Sequence, residues 1–443
     1  MLNRSIYIFL SKMTGFVIRL AVPMFLTRLL STEDYGIYSQ FFLIEVLIAT
    51  LFQLGINQSL YYFVPRDKPN HGSYFATSLI LNVAIFSLVF LGLSQFRESL
   101  AETTNLVVLT DHYPALIGYT VLLMLVVATD CYLCSMQRII PSASFEVGGQ
   151  LLISTSTVVA AVVTRDLGVI LLALVGARVV QFLAMQIYVA TRMDTWQGCR
   201  PFRNIKAQVK YGVVLGLGGA AWTILPRVHE LVVNKALGAE GFAPYAVGIR
   251  EIPVAQFYLQ SLAVVALGQF AVMEKNGDWE GIKKLYREIL TGLYAVVIPF
   301  IIIFVIIADP LVPLAFSDKY TESIPIFRIH TLGKLAMLWN AQLVLRAMGR
   351  NEVTLYLYSS LLVAAFFILN QCLAWGGLLG VVAGNALLFI FSRLACQFIL
   401  NRISGHPMPY VTTPREVMAF YRDSWAQGKG KLRSLGLLPG GRS

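Results

Sequence analysis

Apolar stretches of roughly twenty residues or more, each closed by a short polar break, recur along almost the whole chain. Twelve are counted, at 5–30, 37–64, 73–95, 114–135, 143–164, 167–190, 211–236, 245–272, 285–308, 323–347, 353–374 and 376–400. Each is long enough to cross about 30 Å of hydrocarbon as a helix, and none shows the ten-residue alternation of a barrel strand. In lipid a helix satisfies its own backbone groups, so the pattern predicts an all-α integral membrane protein. Lys12 and Arg19 interrupt the first apolar run and no small-residue cleavage site follows, so that run reads as a span and not as a signal peptide.

The polar breaks alternate in sign. Arg66 and Lys68, then Arg192, Arg200, Arg203, Lys206 and Lys210, then Lys275, Lys283, Lys284 and Arg287 mark the second, sixth and eighth connections. The intervening breaks are acidic: Glu98, Glu102 and Asp111 after the third span, and Asp309, Asp318 and Glu322 after the ninth. Positive loops stay cytoplasmic, which with an even number of spans puts both termini on the cytoplasmic side.

Two short motifs repeat. "LLSTEDYGIYS", residues 29–39, is echoed by "ALGAEGFAPYA", residues 236–246, with Glu240 standing 207 residues after Glu33. "SMQR", residues 135–138, is echoed by "AMGR", residues 347–350, at a similar separation of 212. An even number of spans separates the copies, so the halves share one orientation. The expected organisation is a six-helix half over 1–190, a basic cytoplasmic linker over 191–210, a second half over 211–400 and a basic tail over 401–443. Parallel repeats of this kind form transporters with the substrate path between the halves. In the first copy Arg28 closes one helix, Ser31 or Thr32 caps the next, Glu33 and Asp34 sit at its positive end, and Gly36 allows a tight turn. The motif therefore reads as a helical hairpin tip. In the second copy Lys235, Gly238, Glu240 and Pro244 serve the same purpose, with Ala243-Pro244 in place of Gly36-Ile37.

Composition agrees: 57% of residues are hydrophobic and 13% charged, with a mean hydropathy of +0.67. A soluble domain carries about a quarter charged residues, and no segment between the spans is large enough for a soluble catalytic domain. The net charge of +11 reflects the loop asymmetry and the tail after Arg402, so it points to anionic lipid and not to nucleic acid. In the tail, "TPREVMAFYRDSW" starts as a helix with Thr413 as N-cap and Pro414 in the first helical position. Five scattered cysteines give no disulfide framework, and Cys131 with Cys134, lacking a second pair, packs instead of binding zinc. "GLGGAA", residues 216–221, has no strand before it and reads with Gly212 as a small-residue seam or a flexible point in the seventh span. Gly376, Gly380 and Gly384 form another in the twelfth.

The candidate chemistry lies in charges inside the spans, because an ionisable group at membrane depth costs several kcal/mol unless it faces protein or water. They are Lys12, Arg19, Glu45, Asp130, Arg178, Arg227, Glu230, Arg250, Glu251, Arg328, Lys334 and Arg393. Cations exceed anions. Lys12 and Arg19, two turns apart, share a face, and Arg227 lies within a residue of the repeat-equivalent place of Arg19. Lys12, Arg19, Arg227 and Arg250 are the expected substrate-binding set, suited to a phosphate or another anion. Glu45, Glu230, Glu251 and Asp130 are the expected ion-coupling or cavity carboxylates. Arg227 with Glu230 also reads as a structural pair, Arg178, Arg393 and Asp130 as groups that snorkel or lock helices, and His229 and His330 as isolated. No metal site, catalytic residue or cofactor is expected.

With its twelve spans in two halves, "LLSTEDYGIYSQ", "ALGAEGFAPYAVG" and "AMGR", the chain resembles the bacterial polysaccharide transporters, the O-antigen repeat-unit flippases of the multidrug/oligosaccharidyl-lipid/polysaccharide exporter superfamily, over residues 1–403. The resemblance implies translocation of undecaprenyl-diphosphate-linked oligosaccharide across the bacterial inner membrane by alternating access, coupled to Na⁺ or H⁺, for lipopolysaccharide or other surface glycan. It implies a cationic cavity recruiting Lys12, Arg19, Glu45, Arg227, Glu230, Arg250 and Glu251. It also implies as partners the lipid-linked glycan, membrane lipids, and the polysaccharide polymerase and chain-length machinery. Two rivals stand beside it. A multidrug cation antiporter of the same fold would want an acidic, aromatic cavity, and a glycan polymerase or ligase would want a larger outward loop than residues 96–113.

Overall fold

The computed structural model describes residues 15, 18, 20–202, 205–250 and 254–434. Helices account for nearly all of them, and no strand occurs among the described residues. Seven helices are long and apolar enough to cross a membrane, and their outward faces expose residues such as Leu88, Leu172 and Leu387 to the surroundings. The chain is a multi-pass membrane protein, as its apolar runs require.

Contacts divide it into two compact units. The first holds residues 1–247 and 312–323, the second 248–311 and 324–443. The first unit contains α1 (Leu20–Leu29), α2 (Thr32–Phe52), α3 (Ile56–Arg66), α4 (His71–Thr104), α5 (Tyr113–Ser135), α6 (Ile139–Thr164), α7 (Leu167–Arg192), α8 (Ile205–Ile224) and α9 (Val228–Gly248). Its core joins α3, α4, α5 and α7 through Leu60, Phe75, Tyr132 and Met185, with the rings of Phe75 and Tyr132 stacked at 4.2 Å. Cys131 belongs to this core and Cys134 touches the Ser142 hydroxyl at 3.2 Å, so both are packing residues. Buried amides lace the helices: Asn82 donates to Asn57 at 2.7 Å, and Gln40 to Asn234 at 2.6 Å.

The second predicted span is not one helix. It breaks between α2 and α3, where Leu54 and Gly55 both take left-handed backbone (φ 46° and 63°). At this break α8 comes close: a Cβ on Gly216 would stand 2.5 Å from the Leu54 carbonyl carbon. Gly212 and Gly216 are therefore the seam expected of them, and what they accommodate is the exposed backbone of a broken helix.

The repeated tips are built differently. In the first, Ser31 caps α2 by accepting from the Asp34 N–H at 3.0 Å, and the Arg28 guanidinium donates to the carbonyls of Leu314 and Ala315 at the end of α12 (Ala308–Phe316). Gly36 makes no turn. It lies inside α2, where the Ala239 carbonyl of the second copy occupies the space a Cβ would need. The second tip does turn, at Gly238 with φ 65°, which divides α9.

The second unit contains α10 (Val254–Lys275), α11 (Trp279–Ile306), α13 (Ser323–Gly333), α14 (Ala341–Ala347), α15 (Asn351–Ser404) and α16 (Pro414–Ser434). The tenth predicted span is α13 and α14 joined by a 3₁₀ segment, Lys334–Leu338. The eleventh and twelfth are the two legs of α15, which reverses at Gly377 (φ 56°, ψ −144°). Gly380 and Gly384 then pack against Cys372 on the opposite leg, as the seam predicts, whereas Gly376, with nothing within 4 Å, takes no part in it. Arg287 and Glu416 approach to 3.5 Å, and the Thr291 and Thr412 hydroxyls to 2.8 Å, docking α16 on α11. Tyr421 donates its hydroxyl to the Ala295 carbonyl.

Candidate functional site

Among the charges inside the spans, Lys12, Arg19 and Glu251 lie outside the described residues. In the first unit Arg227 closes the 3₁₀ turn Leu225–Arg227, placed by Pro226 after α8. It donates to Glu230 at 2.7 Å, with the carboxylate side chain 9% exposed and the guanidinium 43%. The pair therefore presents a half-open cation anchored by a buried anion. Glu45 is buried on α2. Asp130, on α5, accepts from the Ser142 hydroxyl on α6 and ties those two helices together.

Arg178 and Arg393 act as locks. Arg178 on α7 donates to Tyr119 at 3.1 Å and Gln181 at 2.7 Å, with its guanidinium 5.2 Å from the Tyr119 ring centre. Arg393, buried on α15, donates to Asn340 at 3.3 Å. His229 is not isolated: Tyr245 holds its Nδ1 at 2.7 Å. Arg328 pairs with Asp309 at 2.6 Å.

The second unit brings together what the sequence left apart. Arg250, Phe300, Phe327, His330, Thr331 and Lys334 line one small recess. Two local features shape it. Phe327, His330 and Thr331 on α13, with Lys334 at the start of the 3₁₀ segment, follow the 3, 4, 7 spacing that gathers side chains on one face. At Gly333 the backbone tightens to 3₁₀, and this glycine lies close to Ala386 of α15, where a Cβ would stand at 3.0 Å. Phe300 comes from α11, one residue after Pro299. His330 thus corrects the expectation of isolation. The signal was its four-residue spacing to Lys334, but only the fold sets Arg250 beside them.

Chemically, the cavity offers a guanidinium fork, an ammonium, an imidazole and a hydroxyl between two aromatic walls. Such a set is chemically suited to an oxyanion, because a guanidinium fork and an ammonium both donate to one. No group of three or more metal-ligating side chains occurs among the described residues.

The family described as polysaccharide biosynthesis protein matches residues 25–325. A search of curated proteins by sequence found no match. Among solved structures, a multidrug resistance MATE family transporter of the MOP superfamily in its inward-facing conformation is 14% identical, with a TM-score of 0.70, covering 88% of this chain and 96% of that one. A MATE family transporter in its outward-facing conformation is 15% identical, with a TM-score of 0.60, covering 91% and 95%. A MOP-superfamily transporter from Pyrococcus furiosus, reported to have a binding pocket of reverse polarity that suggests a different function, is 16% identical with a TM-score of 0.58, covering 91% and 95%. The all-α fold is the one these transporters share, and the expected twelve-helix architecture accords with it.

Proposed function

Since the chain belongs to the polysaccharide biosynthesis protein family, we propose that it is a flippase moving undecaprenyl-diphosphate-linked oligosaccharide repeat units across the bacterial inner membrane by alternating access. It is a transporter and not an enzyme. The observation that carries the reading is the recess that sets the two cations Arg250 and Lys334 beside His330, where a drug-cation site would need carboxylates. The diphosphate is the part of such a substrate that every repeat unit shares, so a cationic cavity recognises the class without reading the sugars. Lys12, Arg19 and Arg227 are further cations proposed to meet the anion along its path. Glu45, Glu230, Glu251 and Asp130 are the carboxylates through which Na⁺ or H⁺ would couple, and both termini are cytoplasmic in this reading. A ligand shifts the alternation only through differential contacts with the two states, so these cations must hold the anion better in one of them.

The test is flipping of a fluorescent undecaprenyl-diphosphate oligosaccharide by proteoliposomes. Arg250→Lys should slow it through loss of the fork, and Arg250→Ala should slow it by about tenfold or more. Undiminished flipping by a fully inserted Arg250→Ala, Lys334→Ala double variant, or transport of an organic cation in place of the glycan, would overturn the assignment.

A further inference from the structure

Helix α16 has two dissimilar faces. The inner one, with Glu416, Val417 and Phe420 partly buried, docks on α11. The outer one carries Arg415, Met418, Arg422 and Trp425 at spacings of three, four and three, so all four lie along one stripe. All four are exposed, Met418 by 70% and Trp425 by 69%. A solvent-exposed methionine and tryptophan alternating with two arginines is an unusual arrangement for a surface in water alone. Among the described residues Arg422 pairs with the adjacent, exposed Asp423 at 3.4 Å, a contact that contributes little. Over its whole length α16 has five basic residues against two acidic ones.

The docking points fix its level. Arg287, Thr291 and Ala295 of α11 straddle the place where the charged turns of Lys283, Lys284, Arg287 and Glu288 give way to the apolar run 289–306. That transition is where a spanning helix leaves the headgroups for hydrocarbon. The outer stripe of α16 therefore faces a layer that is apolar on one side and anionic on the other, and its own residues are of those two kinds.

We propose that α16 is an interfacial helix that binds anionic phospholipid, with Trp425 and Met418 entering the acyl boundary and Arg415 and Arg422 holding phosphates. This surface is independent of the cavity and of what the protein transports. Each arginine near an anionic surface contributes about a fivefold gain in membrane affinity.

The experiment uses the full chain in nanodiscs of phosphatidylcholine, with or without phosphatidylglycerol, containing lipid brominated near the headgroup. The Trp425 signal is the fluorescence difference between the native chain and Trp425→Phe. Quenching of that signal should strengthen with phosphatidylglycerol. Arg415→Glu with Arg422→Glu should raise the phosphatidylglycerol needed for half-maximal quenching on the order of tenfold, while quenching of the remaining tryptophans stays unchanged and reports an intact fold. Quenching that ignores phosphatidylglycerol, or a Trp425 that lipid never quenches, overturns the proposal. So does a Trp425 shielded from aqueous acrylamide only after cytosolic protein is added, which would make this a protein-docking face.

Discussion

Tyr421 donates its hydroxyl to the carbonyl of Ala295, the acceptor that Pro299 leaves without an N–H four residues later in α11. A side chain of the tail helix thus completes the hydrogen bonding of a spanning helix. Tyr421→Phe should lower stability by about 1 kcal/mol, because the carbonyl loses its donor. Pro299→Ala supplies an N–H from within α11, so in that background the same change should cost almost nothing. A double-mutant cycle on thermal unfolding in detergent measures this coupling, and additive losses would contradict it.

Glu416 gives the same junction a pH dependence. The Thr413 backbone N–H, then the hydroxyls of Thr412 and Thr413, hold its carboxyl below the usual glutamate range, with Arg287 adding a smaller part. A depressed folded value means the contribution is fully present above the unfolded value of about 4.3 and is lost as pH falls through the folded one. The protection factors of the α16 amides should hold from neutral pH down to about 4.3 and fall progressively below it. Glu416→Gln should be less protected at pH 7 and lack the acid step.

The seam at the broken second span predicts a contrast between glycines. Gly216→Ala should destabilise strongly and reduce inserted protein, because its Cβ meets the backbone of Leu54 and Gly55. Gly268→Ala on α10, with nothing within 4 Å, should be neutral or stabilise by about 0.5–1 kcal/mol. Melting temperatures of the two purified variants decide the matter.

Arg227 and Glu230 differ in burial, so removing them should differ in effect. Arg227→Ala leaves a buried carboxylate without its guanidinium and should cost more than Glu230→Gln, which leaves a half-exposed cation. About 1–2 kcal/mol is expected for the arginine, below the value for a fully buried pair. Replacing both by leucine should recover most of that loss while still impairing transport if the guanidinium contacts substrate. Unfolding and glycan-flipping assays on the same samples separate the two contributions.

The spans were legible because hydrocarbon imposes length and apolarity on each one separately. Residues 114–135 and 167–190 became α5 and α7 with shifts of one or two residues at their ends. What escaped the sequence depends on contacts between distant segments. The break at Leu54 and Gly55 lies in an apolar run like any other, and becomes necessary only where Gly212 and Gly216 approach. Gly36 suggested a turn, yet its small size serves a neighbour more than two hundred residues away. The intramembrane charges could be named, but not their company. Arg227 found Glu230 because three residues is one helical turn, whereas Arg250, in the connection between α9 and α10, meets His330 and Lys334 only through the fold of the second unit.

The approach of Gly36 to the Ala239 carbonyl also bears on descent. Duplication ordinarily frees one copy of a segment to diverge while the other keeps the old task. Here the two copies lie backbone against backbone, with no side-chain volume between them to absorb drift. A change of shape in either is felt at once by the other, so these tips must be inherited as a matched pair. Among relatives, any bulkier residue in the place of Gly36 should be accompanied by a shift in the segment around Ala239.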